Sequence, residues 1–204
     1  MAVIDGIIPA QAFETVRNRI AVILGDELEG QLVLAGDYDN DAEVYVERFV
    51  AFDKTELPCI NVALDRGSYD GQVQGQSDGT YLFNVDVYHH AKTTGTDNDE
   101  RGDTLAMLKL SRLMGICRAI LENPKYKTLA FTPPFVINRH VVSIAIANVD
   151  NKDAVNAVMG RLVVSVKVPE TTEVITPGEI EGMDTTVKLV LTDKGYRYEG
   201  TYSY

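Results

Sequence analysis

Tyr81-Leu82-Phe83-Asn84-Val85-Asp86-Val87-Tyr88-His89-His90 repeats with a period of two. Tyr81, Phe83, Val85, Val87 and His89 fall on one side of an extended chain, and Leu82, Asn84, Asp86, Tyr88 and His90 on the other. One face is a core face and the other is wetter. A second stretch behaves alike: over 158–168, Val158, Gly160, Leu162, Val164, Val166 and Val168 share a face, and Met159, Arg161, Val163, Ser165 and Lys167 share the other. Strands are also expected at 57–64, where Pro58 stands near the start and its missing N–H is tolerated, and at 135–137 with 141–147.

Working outward, 31–35 and 43–51 are rich in Val, Leu and aromatics and read as a hairpin around the acidic Gly36-Asp37-Tyr38-Asp39-Asn40-Asp41. Residues 66–79 hold Gly67, Gly71, Gly75 and Gly79 with only Tyr69 and Val73 as anchors, which predicts a mobile loop. Two helices frame the strands. Pro9 is placed to open the first, Phe13, Val16, Ile20, Ile23 and Leu24 form its stripe, and Gly25 supplies a stop. The second runs from Asp99 or Asp103 to Glu122, ended by Asn123-Pro124. Its stripe of Ala106, Leu110, Leu113, Cys117, Ile120 and Leu121 is widened by Leu105, Met107, Leu108, Met114 and Ile116. Such a helix is expected to be buried on more than one side, by the sheet and by the first helix or a neighbouring subunit.

After Pro169 the composition shifts. Residues 170–182 have almost no apolar side chains and read as a linker or arm, and 185–191 with 196–204 read as a hairpin around Asp193-Lys194-Gly195. A lone hairpin is marginal in water, so it must pack on the domain or on another chain. The order of elements predicts an α+β fold: a mostly antiparallel sheet with two main helices packed on one face, plus a C-terminal arm and β-hairpin. The expected division is a domain over 1–168 and an appendage over 169–204.

The 204 residues include 30 acidic and 19 basic ones, a net charge of −11. That balance argues against affinity built on neutralising phosphates. The 45% hydrophobic and 24% charged fractions are those of a globular chain, and no apolar run approaches the roughly 20 residues of a membrane span. Met1-Ala2-Val3-Ile4-Asp5 lacks the pattern of a signal peptide, so synthesis in a cytoplasm and no membrane partner are expected. Cys59 and Cys117 stand far apart in apolar contexts and read as buried thiols.

The residues that invite a chemical reading do not complete one. Asp97-Asn98-Asp99-Glu100-Arg101-Gly102 begins like a calcium loop, but Arg101 takes the fifth position and Leu108 the twelfth, where a bidentate Glu is required. Asp37, Asp39 and Asp41 have the same spacing, with Ala42 in the glycine position and Arg48 in the glutamate position. Solvated acidic loops are the simpler reading of both. His89 and His90 are adjacent on a strand and point to opposite faces, and Asp86 with His90 falls short of a zinc ligand set. No nucleophile, phosphate-loop or dinucleotide motif occurs. The expectation is a protein that is not an enzyme and uses no metal or cofactor.

Leu57-Pro58-Cys59-Ile60-Asn61-Val62, then Tyr81-Leu82-Phe83-Asn84-Val85-Asp86-Val87-Tyr88, then Arg112-Leu113-Met114-Gly115-Ile116-Cys117-Arg118-Ala119-Ile120-Leu121-Glu122-Asn123-Pro124 and the late Met159-Gly160-Arg161-Leu162-Val163-Val164-Ser165-Val166 resemble, in order and texture, the tail terminator (tail completion) proteins of tailed bacteriophages. The match covers about 9–168. It implies a structural virion protein assembled in the host cytoplasm: a hexameric ring at the head-proximal end of the tail tube that stops polymerisation and offers a surface to the neck. The implied partners are copies of itself, tail tube protein, sheath protein and neck or head-completion protein, with DNA passing but not held.

On that footing Asp37, Asp39, Asp41, Asp97, Asp99 and Asp103 are candidates for an acidic channel lining. Tyr196, Tyr198, Tyr202 and Tyr204, aromatic with a polar tip, are candidates for a subunit or partner interface. Two other readings stand beside it. One is another head–tail adaptor, head-closure or baseplate protein; the other is a small-ligand-binding or enzymatic α+β domain with a pocket near Asp86, His90 and His140.

Overall fold

A computed structural model of the chain describes residues 8–36, 41–49, 52, 54–73, 76–91, 102–148, 157–171, 186–192 and 195–201. Ala10–Thr171 is one compact unit, and the C-terminal segment from Thr172 belongs to another. The fold is α+β. Helix α1 (Ala12–Ala35), strand β1 (Glu43–Val46), strands β2 (Cys59–Val73) and β3 (Gln76–His90), helix α2 (Gly102–Glu122), and strands β4 (Asn138–Asn148) and β5 (Ala157–Thr171) follow one another. The five strands form one sheet in the order β1-β2-β3-β5-β4, antiparallel except for the β1–β2 pair. Strands β6 (Thr186–Thr192) and β7 (Gly195–Thr201) pair separately as an antiparallel hairpin.

The core is where the alternation places it. Tyr81, Phe83, Val85 and Val87 of β3, with Leu162, Val164, Val166 and Val168 of β5, are buried in one cluster with Ile60 and Val62 of β2. Both helices close this same face, α1 with Val16, Ile20, Leu24 and Leu28, and α2 with Leu110, Leu113, Cys117 and Leu121. Burial of α2 also reaches Met114, while Leu108 is exposed.

Several local expectations fail for physical reasons. The first helix does not stop at Gly25, and 31–35 is not a strand. Leu24, Leu28 and Leu32 carry the buried stripe on at four-residue spacing through Gly25 and Gly30, and the burial of three leucines outweighs the roughly 1 kcal/mol that each helical glycine costs. The stop is Gly36, left-handed at φ 65°, whose N–H donates to the Leu32 carbonyl. The hairpin of 31–35 with 43–51 therefore does not exist. Strand β1 is only four residues long and lies parallel to β2, Glu43 opposite Cys59. It ends because Glu47 turns left-handed, φ 51°, and donates its N–H to the Val62 carbonyl.

The loop expected over 66–79 is instead the far half of β2 and the near half of β3, paired from Arg66–Leu82 to Val73–Gln76 with two irregularities of register. Both faces of β2 are wet from Asp65 to Asp70, so no hydrophobic period marks this region. The hydrogen-bond ladder, extended by β5 on the other edge of β3, holds it. The arm expected from Glu170 begins later, since Glu170 and Thr171 still pair with Ser77 and Gln76. Pro169 is tolerated inside β5 because β4 reaches only to Lys167, leaving that edge of β5 free at the proline. Residues 135–137 are irregular, and β4 starts at Asn138.

Candidate functional site

The side of the sheet away from the helices carries the polar constellation. Asp86, buried in mid-strand on β3, accepts two hydrogen bonds from Arg161 directly opposite on β5, from Nε at 2.6 Å and from Nη2 at 2.8 Å. This forked pair compensates a carboxylate that is only 8% exposed. It also uses up the acid that a ligand pocket would need. His140 pairs with Ser165, which faces Leu82, so along the sheet it stands eight residues from His90, roughly 26 Å at strand rise. Asp86, His90 and His140 are not brought together, and among the described residues no group of three His, Cys, Asp or Glu is arranged to hold a metal ion.

Beside that pair, Arg48 lies over two rings that pack on each other, 4.7 Å from the centre of Tyr45 and 4.3 Å from that of Phe52. It donates to the Glu56 carboxylate at 2.8 Å, and Phe52 continues the stack onto Tyr88. Asn61, buried on β2, accepts the Arg48 N–H and donates to the Arg48 carbonyl, both at 3.0 Å, fastening the segment after β1 to the sheet. These groups satisfy one another, and their arrangement is that of a clamp. Burial pushes the Cys59 thiol and the Tyr88 hydroxyl each up to about 12.

At the other end of β3, a Cβ on Gly67 would lie 2.7 Å from the Tyr81 ring and one on Gly79 3.0 Å from it, so Tyr81 lies over two glycines. Its hydroxyl donates to Glu170 at 2.5 Å. Burial first, then the Glu170 carboxylate, holds that hydroxyl above the ordinary tyrosine range. On the helix side, a groove of about 260 Å³ lies between α1 and α2, lined among others by Glu27, Gln31, Arg112, Ile116 and Tyr126. Lys125 Nζ at 2.5 Å and the Tyr126 hydroxyl both donate to Glu27 and hold its carboxyl below the usual range.

The candidate interface and channel residues are placed as follows. Tyr196 and Tyr198 lie on β7, paired with Leu191 and Leu189 of β6. Asp41 is exposed immediately before β1, and Asp103 is in the first turn of α2. Asp37, Asp39, Asp97, Asp99, Tyr202 and Tyr204 lie outside the described residues.

What the sequence reading missed is the set of exposed apolar side chains at the two margins of the sheet. Ile137, Val142, Ile144 and Ile146 flank or occupy β4, Val46 ends β1, and Phe49 follows it. The signal was present in Val141-Val142-Ser143-Ile144-Ala145-Ile146-Ala147, an apolar run without the alternation of a half-buried strand.

No protein-family model and no curated protein matches the chain. No helix among the described residues is long and apolar enough to cross a membrane.

Proposed function

We propose that the chain is a structural protein of a tailed bacteriophage virion, a tail terminator that caps the tail tube as a hexameric ring, ends its polymerisation and offers an attachment surface to the neck. The observation that carries this reading is the way the four resembling stretches assemble. Three of them lie on β2, β3 and β5, consecutive in the sheet, and the fourth is the end of α2, which packs on β3 and β5. Exposed apolar side chains at both sheet margins support a role in assembly, because contiguous apolar surface on a folded domain marks a place where something docks. The partners in this reading are further copies of the chain, tail tube protein, and sheath and neck proteins. It is not an enzyme and takes no cofactor.

In such a ring the charge of −11 per copy makes a lumen past which DNA slides, with Asp37, Asp39, Asp41, Asp97, Asp99 and Asp103 as its lining. Tyr196, Tyr198, Tyr202 and Tyr204 clasp an adjacent subunit or a tail partner. Native mass spectrometry with negative-stain imaging tests the reading. A mass of six chains and closed rings is the expected result, and a monomer that leaves growing tail tubes uncapped overturns it.

A further inference from the structure

We propose that copies of this chain meet head to tail, the acidic flank formed by α1 and β1 of one copy lying against the basic flank formed by α2 and the segment leading into β4 of the next. The contact rests on the ring reading and names the two surfaces that it joins. Charge is divided between the two ends of the sheet. Strands β1 and β4 are its opposite margins, with α1 packed on β1 and β2, and α2 on β3, β5 and β4. Residues 12–49, which include α1 and β1, hold nine acidic and three basic side chains, −6 in all. Residues 104–148, from the first turn of α2 to the end of β4, hold six basic side chains and one acidic, +5 in all.

The charge left over stands on the outward flanks. On the α1–β1 side the three cations are taken: Arg17 by the Glu47 carboxylate at 3.1 Å, Arg48 by that of Glu56 at 2.8 Å, and Arg19 by the Leu129 and Ala130 carbonyls. A Cβ on Gly25 would meet Val44 of β1 at 4.0 Å, so that flank of α1 looks toward β1, and the exposed Glu29, four residues on, lies along it. Glu43 is exposed at the start of β1. At the other margin the Val141 N–H of β4 donates to the Glu122 carboxylate at 2.6 Å, so that flank of α2 looks toward β4. Arg118, four residues before Glu122, lies along it and is exposed, as is Lys127 in the segment that joins α2 to β4. Each flank also bears open apolar side chains, Val46 on the acidic one and Ile144 on the basic one, which supply area while the charges supply orientation.

The opposition of the two flanks identifies the occupant. A foreign acidic partner would account for the basic flank and leave the acidic one unexplained, and a basic partner the reverse. A second copy accounts for both, with −6 set against +5. Duplex DNA is the weaker occupant of the basic flank, because the acids of the rest of the chain repel phosphates. Flanks at opposite margins of a sheet cannot meet about a two-fold axis without setting like against like, so the contact is heterologous and repeats from copy to copy.

Two charge-reversed forms of the full chain test it: Glu29→Lys with Glu43→Lys, and Arg118→Glu with Lys127→Glu. Each form alone has flanks of a single sign, and its native mass should fall to that of one chain at about 0.1 M salt, where charges interact over about 10 Å. All four positions are exposed, so the melting transition should stay in place. Mixed in equal amounts, the two forms have complementary flanks again and should regain the wild-type mass, with equal numbers of each form in the assembly. Either form keeping the wild-type mass alone, or a mixture that stays as single chains, overturns the contact. So does an Arg118→Glu, Lys127→Glu form that keeps its mass and instead loses binding to duplex DNA or to tail tube protein, which assigns the basic flank to that partner. A wild-type ring of six that neither form disrupts rejects this contact alone. Charge-dependent assembly into open filaments rejects the ring alone, and a wild-type chain that stays single rejects both.

Discussion

Gly160 sets how closely α2 approaches the sheet. A Cβ there would collide with Met114 Sδ and stand 2.6 Å from its Cε, and Met114 is itself buried. Gly160→Ala should cost about 1–3 kcal/mol in urea unfolding, as overpacking does, and most of that cost should vanish in a Met114→Ala background. The Asp86–Arg161 pair makes a second residue-level prediction. Arg161→Met leaves a carboxylate that is almost fully buried without its partner, and should cost about 2 kcal/mol. Lys167→Met, which breaks the more exposed pair with Asp78, should cost under about 1 kcal/mol. Burial pushes the Cys117 thiol up to about 12 from an ordinary 9.0. The native state therefore keeps a proton that the unfolded chain has lost, and stability should fall as pH rises from about 9 toward 12. Cys117→Ala should flatten that alkaline slope, measured by thermal unfolding across the range.

Helix α1 is the element where local and long-range signals disagree. Gly25 and Gly30 read locally as stops, while the leucine spacing from Leu24 to Leu32 continues a buried face. The sheet beneath decides for the helix, because an apolar stripe without a surface to cover has nothing to offset the glycine cost. Nothing lies within 4 Å of a Cβ placed on Gly30, so Gly30→Ala should stabilise the protein by about 0.5–1 kcal/mol. Gly36→Ala should destabilise it, since a side chain is strained at φ 65°. Thermal melts of the two variants moving in opposite directions would check the helix boundary; a strand over 31–35 predicts no such opposition. Legibility elsewhere follows burial. Strand β3 from Tyr81 onward, β5 and α2 each have one dry face, so their period is written in the residues. Strand β2 from Asp65 to Asp70 is wet on both faces, and glycines at 67 and 79 make room for Tyr81, so the same residues that read as a loop are those the strand pairing needs.

For the whole molecule, assembly is the property to test. Replacing Tyr196, Tyr198, Tyr202 and Tyr204 together by Ser in the full chain should lower the native mass, if the hairpin clasps a neighbour, without moving the melting transition of Ala10–Thr171; an unchanged mass removes the clasp. The amino-acid order alone placed Tyr196 and Tyr198 in the second strand of a hairpin, because strand composition and turn residues are local signals. It did not locate the open margin of the sheet, because whether a strand is central or terminal depends on which neighbours arrive from elsewhere in the chain. The same division holds for the fold. The two-residue period around Phe83 and Val164 and the helical stripe through Leu113 were enough to determine an α+β class with one covered face, since burying apolar side chains on one side leaves few other solutions. That β1 lies parallel to β2, that the glycine-rich segment is strand, and that β4 stands at the edge with its isoleucines in solvent were decided only in the tertiary structure, where backbone hydrogen bonds between distant segments select among pairings that side-chain periodicity leaves equal in energy.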